Sequence, residues 1–289
     1  MFSEITLSFR LIHNEFWKKT PVHTSDYSFT NLYAWSEGHK LSYAVDDGLL
    51  WLKKSNFENT FWAPLGDWEA CCWQRIIDRL GSGARMLRVP QRLIDILQNE
   101  VPGKFKVLET PEEWDYLYLQ KALATLSGSK LHKKKNHWNA FVKTYGEDFR
   151  VLGEDDVDSV RKFEDKWFEQ RTDKDNPDIS RENAAVHKVL DAFDQIGGLK
   201  LGGLFYQNEM IAFSLGEALD EKTLLVHFEK ALPEYRGVYQ AINLAFAREF
   251  GKGFEYINRE QDSGSSGLRQ AKQSYYPVAY GVKNTVCVL

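Results

Sequence analysis

No stretch of this chain approaches the roughly 20 consecutive apolar residues that a membrane helix needs. Nor does the opening M-F-S-E-I-T-L-S-F-R join a basic region to an apolar core, as a secretory leader would. Any membrane contact is therefore expected to be peripheral. Cysteine is scarce. Cys71, Cys72 and Cys287 have no metal-ligand spacing, and neighbouring cysteines rarely bridge one another, so a reduced, cytoplasmic chain without a metal site is expected. Neither sign of charge dominates: 37 Lys and Arg stand against 41 Asp and Glu, for a net charge of -4. That balance argues against a protein coated with nucleic acid, although it is silent about a local basic patch. What the 289 residues do have is apolar material, 43% hydrophobic and 14% aromatic, enough for the core of one large domain or two ordinary ones.

The second half carries an antiparallel meander of strands over residues 199–206, 210–217 and 223–229, separated by turns at Gln207-Asn208 and Asp220. A helix over 238–250, a strand over 254–258, a helix over 265–275 and a strand over 278–282 follow. The order is β-β-β-α-β-α-β. The first half repeats the rhythm with strands at 39–45, 49–53 and 60–63, a helix at 67–80, a strand at 85–89, a helix at 91–99 and a strand at 104–108. Helical sequence precedes each run, at 7–18 and 29–35 in one case and at 157–171 and 182–195 in the other. The spacing predicts an α/β protein of two mixed sheets with helices on both faces, divided into domains 1–126 and 127–289.

Residues 121–146 contain Lys121, Lys130, Lys133, Lys134, Lys135 and Lys143, with His132 and His137, and no acid at all. As a helix the segment places Leu131, Trp138, Phe141, Val142 and Tyr145 on one stripe, and Ser127 or Ser129 is expected to cap it. The lysines then occupy the first two turns, where the helix dipole opposes cations by about 0.3–1 kcal/mol each. A bound polyanion would offset that cost. His132, Lys133, Lys134, Lys135 and Asn136 are the candidate RNA contacts; an ordinary solvated face is the other reading.

The strand ending at Glu229 delivers the chain to a turn at Arg236 and Gly237 that opens the next helix. First-turn amides and the dipole make such a place an anion site. Alternation puts Leu225, His227 and Glu229 on one strand face, with His227 or Glu229 as a candidate general base; contact with solvent or Lys230 is the alternative. Tyr275, beside Tyr276 at a helix end before Pro277, could protonate a leaving group or simply pack. Asn258, Arg259, Glu260 and Asp262 read as the rim of a site or as a capped loop.

Four ordered segments, D-Y-S-F-T-N-L-Y-A-W (26–35), S-G-S-K-L-H-K-K-K-N-H-W-N-A-F (127–141), H-F-E-K-A-L-P-E-Y-R-G-V-Y-Q-A-I-N (227–243) and I-N-R-E-Q-D followed by G-L-R-Q-A-K-Q-S-Y-Y-P-V (257–278), resemble a bacterial family of uncharacterised proteins grouped with the C-terminal domain of phosphatidylglycerol lysyltransferases. The resemblance covers essentially the whole chain. It implies a tandem pair of GNAT-like (acyl-CoA N-acyltransferase) folds, as in the Fem-type aminoacyltransferases, which use aminoacyl-tRNA. Donor contacts are expected at Arg236, Gly237, Tyr239, Gln240, Asn243, Asn258 and Arg259, and catalysis at Glu229, His227 and Tyr275. The acyl-CoA turn R/Q-x-x-G-x-G/A is matched only at Gly237, and Val238 and Tyr239 crowd it. The lysyltransferases' membrane-embedded region has no counterpart in these residues. The expectation is therefore an acyltransferase without a tightly bound cofactor, moving an aminoacyl group from tRNA to an amine or hydroxyl of a small molecule, peptide or lipid headgroup. Acyl-CoA as donor, and a non-catalytic binding protein, are the alternatives.

Overall fold

In the computed structural model, which describes residues 2–289, the alternating and helical patterns become two seven-stranded mixed sheets. The chain begins with β1 (Ser3–Glu4), α1 (Phe9–Trp17), α2 (Phe29–Trp35), β2 (Leu41–Asp46), β3 (Leu49–Lys54), β4 (Thr60–Leu65), α3 (Trp73–Leu80), β5 (Arg85–Pro90), α4 (Gln91–Glu100) and β6 (Phe105–Glu109). It continues through β7 (Asp115–Leu119), α5 (Gln120–Thr125), α6 (His132–Tyr145), β8 (Asp148–Leu152), α7 (Val157–Glu169), α8 (Pro177–Asp191), α9 (Phe193–Ile196), β9 (Lys200–Tyr206), β10 (Glu209–Ala218) and β11 (Thr223–Ala231). The last elements are α10 (Val238–Phe250), β12 (Tyr256–Asn258), α11 (Ser266–Gln273), β13 (Ala279–Gly281) and β14 (Lys283–Val288). No helix among the described residues is long and apolar enough to cross a membrane.

One sheet has the order β1-β2-β3-β4-β5-β14-β6 and the other β13-β7-β12-β11-β10-β9-β8. Each contains a parallel pair in the same place of the repeated pattern. β4 runs beside β5 from Thr60 to Trp62, and β11 beside β12 from Thr223 to Leu225. After three paired residues the strands part, and β11 goes on to Ala231 without β12.

The chain packs into two compact units, each assembled from non-contiguous segments. One compact unit holds the chain up to Asp115 with Gln261–Gly264 and Gly281–Leu289; the other holds Tyr116–Glu260 and Ser265–Tyr280. Two strands absent from the sequence reading, β7 and β14, account for these non-contiguous pieces. β7 pairs antiparallel with β12, Tyr118 opposite Ile257. The predicted last strand, 278–282, is β13; beyond it β14 slots between β5 and β6, with Val286 opposite both Met86 and Val107.

The second unit's core explains α10. Its Ala241, Ile242, Leu244, Ala245 and Ala247 are buried, and the small residues let the helix lie close to the sheet. Ala241 and Ile242 pack with Ala212, Ala231 and Phe141; Leu244, Phe246 and Ala247 pack with Leu224, Val226, Tyr118 and Tyr275.

The first unit is fastened from inside by charge. Lys283, at the start of β14, is completely buried and donates to Asp115 at 2.7 Å and to Asp26. Arg88 also pairs with Asp26, and Ser25 donates to both Asp115 oxygens, from its amide at 3.0 Å and its hydroxyl at 2.7 Å. Burial pulls the Lys283 ammonium below its ordinary pKa despite Asp115. Lys283→Ala would leave two buried carboxylates short of a partner. The expected outcome, read by denaturant unfolding, is a loss of about 3–5 kcal/mol, against a loss within about 0.5 kcal/mol for the exposed Lys106→Ala.

Candidate functional site

Where β11 leaves β12, the pleat itself is altered. Leu215 of β10 faces Phe228, but the next residue, Gly216, faces Val226, so β11 carries a one-residue bulge at His227. Simple alternation placed Glu229 on the face of Leu225 and His227. The bulge shifts the phase, and Glu229 joins Val226 and Ala231 on the face covered by α10. Gly216 is the permissive position, because a Cβ there would lie 2.2 Å from the Leu225 carbonyl oxygen.

Glu229 is then gripped from two sides. Arg259, the first residue after β12, donates through Nη2 to Oε1 at 3.0 Å, and Asn243 of α10 donates through Nδ2 to Oε2 at 3.1 Å. The guanidinium also lies over the Tyr275 ring, 5.0 Å from its centroid. Tyr275 is buried, and its hydroxyl bonds Gln240; burial pushes its pKa up to about 12, so at neutral pH the phenol keeps its proton. Three buried polar atoms here have no protein partner: Nη1 of Arg259, Oδ1 of Asn243 and the hydroxyl of Ser214, which sits opposite Glu229 on β10. Buried polar atoms are rarely left unpaired. One donor, one acceptor and a hydroxyl gathered at a strand opening are equipped for a polar guest.

The structure thus brings together Glu229, Arg259, Asn243, Gln240 and Tyr275. Tyr275 and Tyr276 lie beyond the end of α11 at Gln273 rather than on it. His227 is drawn elsewhere. Its ring is held between Glu217 at Nε2 and Glu260 at Nδ1, both at 3.0 Å. Burial works against the imidazolium, but the hydrogen bonds and charges of the two glutamates outweigh it and raise the pKa to about 9. A doubly donating ring has no lone pair to offer as a base. Asn258 accepts from the Glu260 amide at 2.7 Å and so shapes the turn that supports this clamp.

The Arg236-Gly237 turn has a structural explanation. Gly237 is left-handed at φ 91° and caps α10; a Cβ on it would lie 2.6 Å from the His137 carbonyl oxygen and 3.1 Å from Phe141. The glycine lets α6 and the start of α10 touch. The Val238 amide is already taken by the Tyr235 carbonyl, Arg236 is exposed, and the Tyr239 hydroxyl donates to the Ala231 carbonyl at 3.2 Å.

The basic helix divides its lysines. α6 starts at His132 after a short 3-10 turn, with neither Ser127 nor Ser129 capping it. His132, Lys133, Asn136 and His137 are exposed, and Lys135 with His132 borders an open groove of about 560 Å³ completed by Leu126, Ser127, Gly128 and Ser129. Lys134 instead turns inward, its Nζ 4.3 Å from the Tyr275 ring centroid. The inward Lys134 and the hydroxyl of Ser214 escaped the sequence reading. Lys134 could have been found from the wheel, since it stands four residues before Trp138 of the apolar stripe; nothing local marks Ser214.

A family model described as Phosphatidylglycerol lysyltransferase, C-terminal, matches residues 17–283. Among solved structures, a conserved protein of unknown function from Bacteroides thetaiotaomicron VPI-5482 is 31% identical, with 100% of this chain and 99% of that one covered at a TM-score of 0.89. The C-terminal domain of a putative lysylphosphatidylglycerol synthetase from Agrobacterium fabrum is similar in fold, with a TM-score of 0.64 at 12% identity over 95% of this chain and 92% of that one. An uncharacterized protein, MYCGA3080, of Mycoplasmoides gallisepticum (strain R(low / passage 15 / clone 2)) is 30% identical over 165 residues, 56% of this chain and 52% of the relative. The chain thus spans about half the length of that curated relative. The architecture is the tandem GNAT-like fold.

The His227 clamp makes stability depend on pH. A histidine pKa raised by folding from 6.5 to about 9 stabilises fully below pH 6.5 and loses its contribution as pH rises through 9. Denaturant unfolding at pH 6.5 and pH 9.5 should differ by at most about 3 kcal/mol in favour of the lower pH, and His227→Gln should flatten that difference.

Proposed function

Because the chain belongs to the phosphatidylglycerol lysyltransferase C-terminal family, a family of acyl- and aminoacyltransferases, we propose that it transfers an aminoacyl group from aminoacyl-tRNA to an amine or hydroxyl acceptor, and that the Glu229 cluster is the reaction site. The observation that carries this reading is the double use of α6. One helix sends Lys134 to the Tyr275 ring and leaves His132, Lys133 and Lys135 on its open side. A nucleic acid lying on those cations would bring its end to the strand opening.

The ester of aminoacyl-tRNA is already activated, so the protein has mainly to align the partners and manage protons. The acceptor nitrogen or oxygen attacks the acyl carbon, and its proton passes to the Glu229 carboxylate. Arg259 and Asn243 hold that carboxylate in one orientation. As the carbon–oxygen bond of the ester breaks, the ribose oxygen takes the proton of the Tyr275 hydroxyl. Burial keeps that proton in place until then. The bulky Val238 and Tyr239 at the head of α10 favour this donor over acyl-CoA, whose pyrophosphate needs close backbone approach.

Tyr275→Phe keeps the ring on which Arg259 lies and removes the hydroxyl, with its proton and its bond to Gln240. Steady-state transfer from aminoacyl-tRNA should show kcat lowered by about 100-fold with KM nearly unchanged; unchanged kcat would assign the hydroxyl to packing. Replacing exposed Lys133 and half-exposed Lys135 by Ala should weaken tRNA binding and reduce the slope of log K against log salt by about 1–2, one unit per lost phosphate contact. An unchanged slope would make these lysines a solvated face.

A further inference from the structure

The transfer step described above does not use Lys134, nor the second terminal nitrogen of Arg259. Both are unusual in the same way. Lys134 is half-buried, its ammonium faces the Tyr275 ring at 4.3 Å, and no acid among the described residues pairs with it. A second cation shares that ring: the Arg259 guanidinium faces it at 5.0 Å. Burial and that guanidinium together push the Lys134 pKa below its ordinary value. Glu229 neutralises only one of the two cations, and it does so through Nη2, leaving Nη1 buried and unpartnered. Left empty, the arrangement sets two cations against each other in a half-dry place, with only an aromatic face in compensation.

We infer that Lys134 and Nη1 of Arg259 form an anion cradle, with the Tyr275 ring as one wall, and that the group it takes is a phosphate. The geometry favours phosphate over carboxylate. A carboxylate is best held by both ends of one guanidinium fork, and here one end is already committed to Glu229. A tetrahedral group, with oxygens pointing several ways, can accept one bond from Nη1 and others from the rotating ammonium of a lysine on a different element. A guest anion would also relieve the Lys134–Arg259 repulsion, as it would offset the cations at the start of α6. The cradle stands on this geometry alone; only the source of its phosphate, a nucleotide end or a lipid headgroup, rests on the proposed transfer reaction.

Calorimetric titration of the full chain with inorganic phosphate tests it without any tRNA or activity. Wild-type protein should bind phosphate saturably, Lys134→Met should bind at least about tenfold more weakly, as expected for the loss of one charge-assisted contact, and Lys143→Met, exposed on the last turn of the same helix, should bind as the wild type does. In the absence of phosphate Lys134→Met should unfold at the same temperature or higher, because it removes an unpaired cation; a lysine with a merely structural role would lower it. Lys134→Gln serves as a second variant should Met disturb the helix. Competition by adenosine 5′-monophosphate at lower concentration than glycerol 3-phosphate would support a nucleotide source, and the reverse order a headgroup. Phosphate affinity equal in wild type and both Lys134 variants, or lost equally in Lys143→Met, would overturn the assignment even if aminoacyl transfer were demonstrated.

Discussion

The ion pair between Glu229 and Arg259 spans a gap that the sheet has stopped bridging. Backbone pairing between β11 and β12 ends at Leu225 and Asn258; one residue later Arg259 reaches across to a carboxylate four residues farther along the other strand. Asn243, Tyr275 and Lys134 are then arranged about that pair. A desolvated ion pair contributes little net stability when it replaces well-packed apolar groups. Its retention inside an apolar core is therefore better explained by the position it imposes on its neighbours than by the energy it adds.

The two units treat the same opening differently. In the first unit the last residue of β5 paired with β4 is Leu87, and the next is Arg88; in the second the last residue of β12 paired with β11 is Asn258, and the next is Arg259. Both arginines lie over an aromatic ring, Arg88 above Trp62 at 4.2 Å and Arg259 above Tyr275 at 5.0 Å. Arg88 belongs to a cluster with Asp26, Asp115 and the buried Lys283, in which each cation has an acid partner. Arg259 shares its surroundings with a second cation and keeps a nitrogen unbonded. A duplicated architecture thus carries a closed charge network in one copy and an incomplete one in the other, which is where a ligand is expected.

Periodicity was a good guide wherever a segment's own residues decide its structure. Residues 29–35 and 238–250 are helical as the apolar spacing predicts, and the meander of β9, β10 and β11 lies within two residues of its predicted bounds. What periodicity misses is non-local. β7 and β14 are strands because distant partners receive them, and their sequences resemble loops until β12, β5 and β6 are in place. The bulge at His227 is a mismatch between two strands, invisible in either alone, and it reversed the predicted face of Glu229. Residue types at the opening were legible, since Glu229, Asn243, Arg259, Gln240 and Tyr275 all stood among the candidates. Their partition was not. His227 is clamped by Glu217, which is ten residues away along a neighbouring strand, and Lys134 leaves the basic face for the Tyr275 ring.

The central claim is that this opening receives the charged end of an aminoacyl-tRNA. Comparing the affinity of the protein for an aminoacyl-tRNA and for the same tRNA after deacylation tests it directly, with Glu229→Ala/Arg259→Ala measured alongside. The account predicts tighter binding of the acylated form to the wild type and loss of that preference in the double variant, with affinity for deacylated tRNA largely kept by α6. Equal affinity of the wild type for the two forms would contradict it.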